Sequence, residues 1–141
     1  MWNLYFLKLL IDVLNIKVKN FRIIKKMKRK YILKKESEIT PVFKSKKRYG
    51  NSLFIIYYVK QTAFPHFKFA LSVGKKYGKA HERNLIKRRL RAIIRSVSPC
   101  LNPKMFFVIV IKAQAKNLTF QQLKTFFLQF ATKTRILLSN K

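Results

Sequence analysis

Acids are nearly missing from this 141-residue chain. Only Asp12, Glu36, Glu38 and Glu82 carry a carboxylate, against 33 Lys and Arg. Four acids spread this thinly supply neither a paired-carboxylate hydrolytic site nor a carboxylate cage for a hard cation. Cysteine is represented by Cys100 alone, which excludes an intramolecular disulfide framework and a zinc cluster and suits a reducing compartment. The two histidines, His66 and His81, stand 15 residues apart with no third ligand and no nucleophile beside them. Met1 to Ile16 is apolar, but Lys8 and Asp12 interrupt it. It lacks the leading basic region and small-residue cleavage site of an export signal, and it is shorter than the ~20 residues of a membrane span. No membrane role is expected, and the cytoplasm is the expected location. Internal repeats, a linker, a helix-turn-helix pattern and a dimer heptad are all missing.

What the chain has in quantity is positive charge, with a formal value of +29 at pH 7. Self-repulsion of that size opposes a compact state unless a polyanion is bound. The 49% hydrophobic and 14% aromatic content separates it from a disordered basic tail and allows one modest core. Residues 1–26 read as an N-terminal extension, with Leu4, Leu7, Ile11 and Leu14 at helical spacing, and the basic run from Met27 makes a natural functional start. The extension contributes only six cations against Asp12, so the basic character belongs to residues 27–141.

From Met27 onward the pattern is that of one α+β domain. A short helix is expected over Glu36 to Lys44, with Pro41 comfortable only in a first turn. A basic turn follows at Lys46 to Asn51. Strands are expected over Leu53 to Val59, Phe67 to Val73 and Met105 to Ile111. Helices are expected over Lys79 to Ser98 and Thr119 to Leu138, the latter opened by a Thr119/Gln122 capping box and carrying a core stripe of Phe120, Leu123, Phe127 and Phe130.

Gly74 to Arg95 is the most informative stretch. It holds nine cations and one acid, Glu82. At 100° per residue, Ile86, Leu90, Ile93 and Val97 form an apolar face. Arg83, Asn84, Lys87, Arg88, Arg91 and Arg95 cluster within about 140° elsewhere on the helix. Like charges at i, i+4 along that stripe destabilise an isolated helix by ~0.2–0.5 kcal/mol each, so the arrangement implies an anionic surface that offsets them. Guanidinium forks suit phosphates, and Asn84 can read a base edge or 2′-hydroxyl. Five of nine Arg fall between residues 83 and 95, which scattered solvated charge does not explain.

The same stretch, read as S-V-G-K-K-x-G-K-A-x-x-R-N-x-x-K-R-x-x-R from Ser72 to Arg91, resembles the signature of the bacterial ribonuclease P protein subunit. The opening basic run, the E-x-x-x-V-F-K segment from Glu38 to Lys44 and the order of elements also fit. The resemblance implies a central mixed sheet packed by helices, with a left-handed β-α-β crossover. It implies that Arg83, Asn84, Lys87, Arg88, Arg91 and Arg95, with Lys75, Lys76 and Lys79 beside them, contact the catalytic RNA subunit. It implies a cleft for the 5′ leader of precursor tRNA, lined by Phe43, Tyr57, Ile39 and Lys87. It further implies hydrolytic removal of that leader, with Mg²⁺ held mainly by RNA and substrate, no catalytic residue in the protein and no protein partner required. Three positions depart from the family pattern: Leu85 replaces a second Arg, Ile39 replaces a cleft aromatic, and Ala70 replaces a Gly. A structural ribosomal or RNA-chaperone protein is the alternative, and it would not require the spaced Arg-Asn stripe.

Overall fold

The computed structural model describes residues 28–138. The Leu4–Leu14 helical pattern, the extension of residues 1–26 and Met27 lie outside them. Three apolar segments form strands whose successive side chains point to opposite sides, giving a sheet with two distinct faces. Its strands are β1 (Arg48–Gly50), β2 (Phe54–Lys60), β3 (Lys68–Val73) and β4 (Met105–Ile111), in the order β1-β2-β4-β3. β1 and β4 are antiparallel to β2, whereas β3 runs parallel to β4. Helix α1 (Glu36–Lys44) precedes the sheet, α2 (Ala80–Ser96) connects β3 to β4, and α3 (Phe120–Lys133) follows β4.

One sheet face presents Phe54, Ile56, Phe69, Phe107, Ile109 and Ile111 to the apolar stripes of α2 and α3, forming the main core. The expected α2 stripe of Ile86, Leu90, Ile93 and Val97 is buried there. On the opposite face, Phe106 and Val108 pack with Val42 of α1 and Leu33, with Ile39, Tyr57, Val59 and Ala70 around them. β4 is therefore covered on both sides, as its unbroken MFFVIVI run predicts.

Four expectations need correction. The basic turn at Lys46–Asn51 contains strand β1. The turn itself lies one step later, where the Asn51 Oδ1 accepts from the N–H groups of Leu53 (2.8 Å) and Phe54 (3.2 Å). Gly50 is required at the end of β1, because a Cβ there would collide with the backbone of Phe54 and Ile55. Pro41 is not in the first turn of α1 but deep inside it. It is exposed, so water can reach the carbonyl that its missing N–H leaves unbonded, and Ser45 anchors the following turn by donating to the Tyr58 carbonyl (2.9 Å).

In α3 the capping box is present, with the Thr119 Oγ1 accepting from Gln122 N–H and the Gln122 Oε1 from Thr119 N–H. Leu123, Phe127 and Phe130 are buried, but Phe120, the first residue of the helix, is exposed. The helix stops at Lys133 rather than Leu138. Arg135 adopts φ 62° and the chain turns back, so that Leu137 bridges Leu101 and Leu138 N–H donates to the Cys100 carbonyl (2.7 Å).

Leu90 is fully buried between α2 and the sheet. Leu90→Ala is expected to lower unfolding stability by about 2–5 kcal/mol in urea titration, with little change in the slope.

Candidate nucleic-acid interface

The basic surface starts in the Gly74–Gly78 loop, a single 3-10 turn held down by buried Tyr77. Burial raises the Tyr77 hydroxyl pKa, and the nearby positive charges of Arg89 and Lys116 oppose that rise. Lys75, Lys76 and Lys79 remain exposed around it. Gly78 then serves the start of α2 in two ways. Its carbonyl accepts from Arg83 Nη1 (2.9 Å), and a Cβ on it would stand 2.7 Å from the Glu82 Oε1.

Glu82, the one acid in this stretch, does not counter the cation stripe. Its Oε1 accepts from Lys79 N–H (3.0 Å), closing the helix N-terminus, while Oε2 pairs with Lys116 at 2.8 Å. The Lys116 hydrogen bond and the Lys79 backbone hydrogen bond hold its carboxyl below the ordinary range.

Along α2 the structure leaves Asn84, Arg88 and Arg91 exposed, with Lys87 and Arg95 half-buried beside them. Asn84, Arg88, Arg91 and Arg95 follow i, i+4, i+7, i+11 spacing, one continuous edge of the helix. Arg83 belongs to the same segment, but it lies about 100° round the helix from Asn84 and its guanidinium donates to the Gly78 carbonyl. Leu85, where the family pattern has Arg, is 41% exposed, so that departure changes the surface rather than the core.

A second surface forms on the other sheet face. Phe43 (39% exposed) meets Tyr57 edge-on at 4.7 Å between ring centroids. Ile39 and Tyr57 both pack against the Val42–Val108 cluster. Helix α1 is held over this cluster by Val42, by Ser45 and by the Lys68–Glu38 ion pair at 2.9 Å. Phe43, Tyr57 and Ile39 are thus gathered as expected. Lys87 is not gathered with them by the fold: it stands on α2, whose apolar side packs on the opposite face.

Arg48 joins this surface from a segment in which the sequence marks only a basic turn. It pairs directly across from Tyr57 in the β1–β2 ladder, so its side chain shares Tyr57's face and adds a cation to the aromatic edge. The only signal for it was a three-residue strand hidden in a basic turn.

Residues 27–135 match the family model for ribonuclease P. The chain is 78% identical to the ribonuclease P protein component of Phytoplasma australiense over 114 residues, covering 81% of this chain and 99% of that protein. It is 43% identical to the corresponding protein of Acholeplasma laidlawii over 79% of this chain and 95% of that one. Its fold resembles the solved RNase P proteins of Staphylococcus aureus and Thermotoga maritima. The first superposes with TM-score 0.71 and 23% identity, covering 76% of this chain and 97% of that one. The second gives TM-score 0.65 and 21% identity, covering 72% and 94%.

The Lys68 hydrogen bond holds the Glu38 carboxyl below its ordinary 4.5. A depressed carboxylate contributes its stability in full above the unfolded value and loses it as pH falls through the folded one. Acid titration of unfolding is expected to show α1-linked destabilisation below about pH 4.5, and Glu38→Gln is expected to flatten that part of the curve. An unchanged acid limb in the variant would show that the pair does not hold α1.

Proposed function

Because the chain belongs to the ribonuclease P protein family, we propose that it binds the catalytic RNA through the α2 edge and the 5′ leader of precursor tRNA through the Phe43–Tyr57 cleft. The observation that carries this reading is the placement of two chemically different surfaces on opposite faces of one sheet. A guanidinium-rich helix edge suits the phosphates of a folded RNA. A cleft with partly exposed aromatic rings and Arg48 beside them suits a flexible single strand, whose bases stack while its backbone is neutralised.

In this reading the reaction is Mg²⁺-dependent hydrolysis of the phosphodiester at the leader junction, which releases the leader and leaves the mature 5′ end. Among the described residues the acids are Glu36, Glu38 and Glu82; Glu38 and Glu82 are paired with Lys68 and Lys116, and no three His, Cys, Asp or Glu side chains gather into a donor set for Mg²⁺. The proposal therefore places the metal ions on RNA and substrate. The protein's contribution is to hold the leader and to screen repulsion between two polyanions. Cytoplasmic action without a further protein partner belongs to the same proposal. Nothing in the structure favours the structural ribosomal or chaperone alternative.

The test is single-turnover cleavage of a 5′-extended precursor tRNA at low millimolar Mg²⁺ by ribonuclease P RNA, with and without the protein. Strong stimulation at the mature 5′ junction is expected, and Arg88→Ala should impair assembly with the RNA. Tyr57→Ala should weaken binding of leader-bearing substrate more than mature tRNA. If both variants harm both ligands equally, the division of surfaces fails. With about five phosphates neutralised along a single-stranded leader, log K should fall against log[salt] with a slope of about −3.5.

A further inference from the structure

A third surface lies at the end of the sheet where β3 begins, bordering the leader face through Phe64 and reaching the α2 face through Tyr31. The loop after β2 exposes Phe64 (39%) yet holds it firmly. Gln61 accepts from Phe64 N–H (2.8 Å) and donates to the carbonyls of Phe64 (3.1 Å) and Pro103 (3.0 Å). His66 stands beside it at 6.1 Å, fixed by an Nδ1–H bond to the Phe67 carbonyl (2.9 Å). Tyr31 completes the row, 5.0 Å from His66 and stacked on buried Phe67 at 4.9 Å. All three rings are at least partly open to solvent.

The chain that supplies Tyr31 is also the basic opening run. Ile32 bridges Phe69 and Leu33 N–H donates to the Phe69 carbonyl (2.8 Å), which ties the run along the edge of β3. Lys28, Arg29, Lys30, Lys34 and Lys35 are exposed on either side of that tie. Lys30 Nζ lies 5.1 Å from the Tyr31 ring centroid. The next acids are Glu36 and Glu38, and Glu38 is already paired with Lys68. A rigid row of aromatic rings flanked by uncompensated cations is what unpaired nucleotides bind, the rings taking the bases and the cations the backbone.

We propose that the Tyr31–His66–Phe64 row is a stacking platform for unpaired bases of the RNA subunit. The inference rests on the RNA partnership proposed above. The RNA subunit is favoured over the leader by position. Phe64 borders the leader face, packing on Phe106 with Lys68 Nζ 4.1 Å from its ring centroid. The row runs from there, however, to Tyr31 and Phe67, which belong to the main core on the α2 face, and the basic opening run joins it at that end.

The experiment measures affinity of the full chain for ribonuclease P RNA at several salt concentrations. Phe64→Leu and Tyr31→Leu keep apolar bulk but remove the flat ring. Each is expected to weaken binding about 5- to 10-fold without changing the salt slope, because stacking releases no counterions. Lys30→Ala should instead make the slope shallower by about 0.7–0.9. Phe64→Trp should bind at least as tightly as the parent. Unchanged affinity in both Leu variants overturns the platform. So does a loss seen only with leader-bearing substrate, which would move these rings to the leader path. A loss matched by a fall in thermal midpoint, unrelieved by Phe64→Trp, would reduce the row to a structural one. If the parent chain itself neither binds the RNA nor stimulates cleavage, the function proposed above fails; if it does both and only the ring variants behave as parent, this inference alone fails.

Discussion

Everything in this fold depends on the burial of β4 from both sides. Phe107, Ile109 and Ile111 belong to the core under α2 and α3, while Phe106 and Val108 belong to the smaller core under α1. The strand also pairs along its whole length with β2 and almost as fully with β3. A chain with this excess of positive charge gains nothing from its own electrostatics in holding together. Apolar burial has to do that work, and β4 is where the two halves of it meet. The basic α2 edge and the aromatic cleft keep fixed relative positions because both are built on the same strand.

The few acids show the same economy in reverse. Glu38 fastens α1 to β3, and Glu82 fastens the start of α2 to the turn before α3. In each case a carboxylate joins segments far apart in sequence, at a point where hydrophobic packing alone leaves a helix end loose. Neither lies within the Asn84–Arg95 stripe, so the stripe keeps its charge. The acids thus sharpen the basic surface by staying out of it, and their lowered pKa values are the electrostatic trace of those attachments.

The large features were legible in the sequence because they rest on periodicity. The unbroken MFFVIVI run, the Ile86–Val97 stripe and the Thr119/Gln122 box each produced the element they encode. What escaped was set by contacts between distant segments. A strand as short as Arg48–Gly50 has no period of its own and exists because β2 is there to pair with it. The end of α3 is fixed by the return of Ile136 and Leu137 towards the Cys100–Asn102 turn, which no local propensity announces. Among the candidate site residues, the α2 edge was readable because helical geometry alone places it. Lys87 was grouped with the cleft by resemblance, and only the two-sided sheet separates it from Phe43 and Tyr57.

The strand order has a consequence for biosynthesis. β4 sits between β2 and β3, yet it is the last of the four to be made, and Lys116, which secures Glu82, comes later still. A chain emerging from the ribosome with β1, β2, β3 and α2 already synthesised has no central strand to join the β1–β2 pair to β3 and no Lys116 for the α2 N-terminus. Its cations are present, but the edge that presents them is not yet set. Completion of the sheet must therefore wait for the C-terminal third of the chain, and until then its cations belong to a basic polymer rather than to a shaped surface.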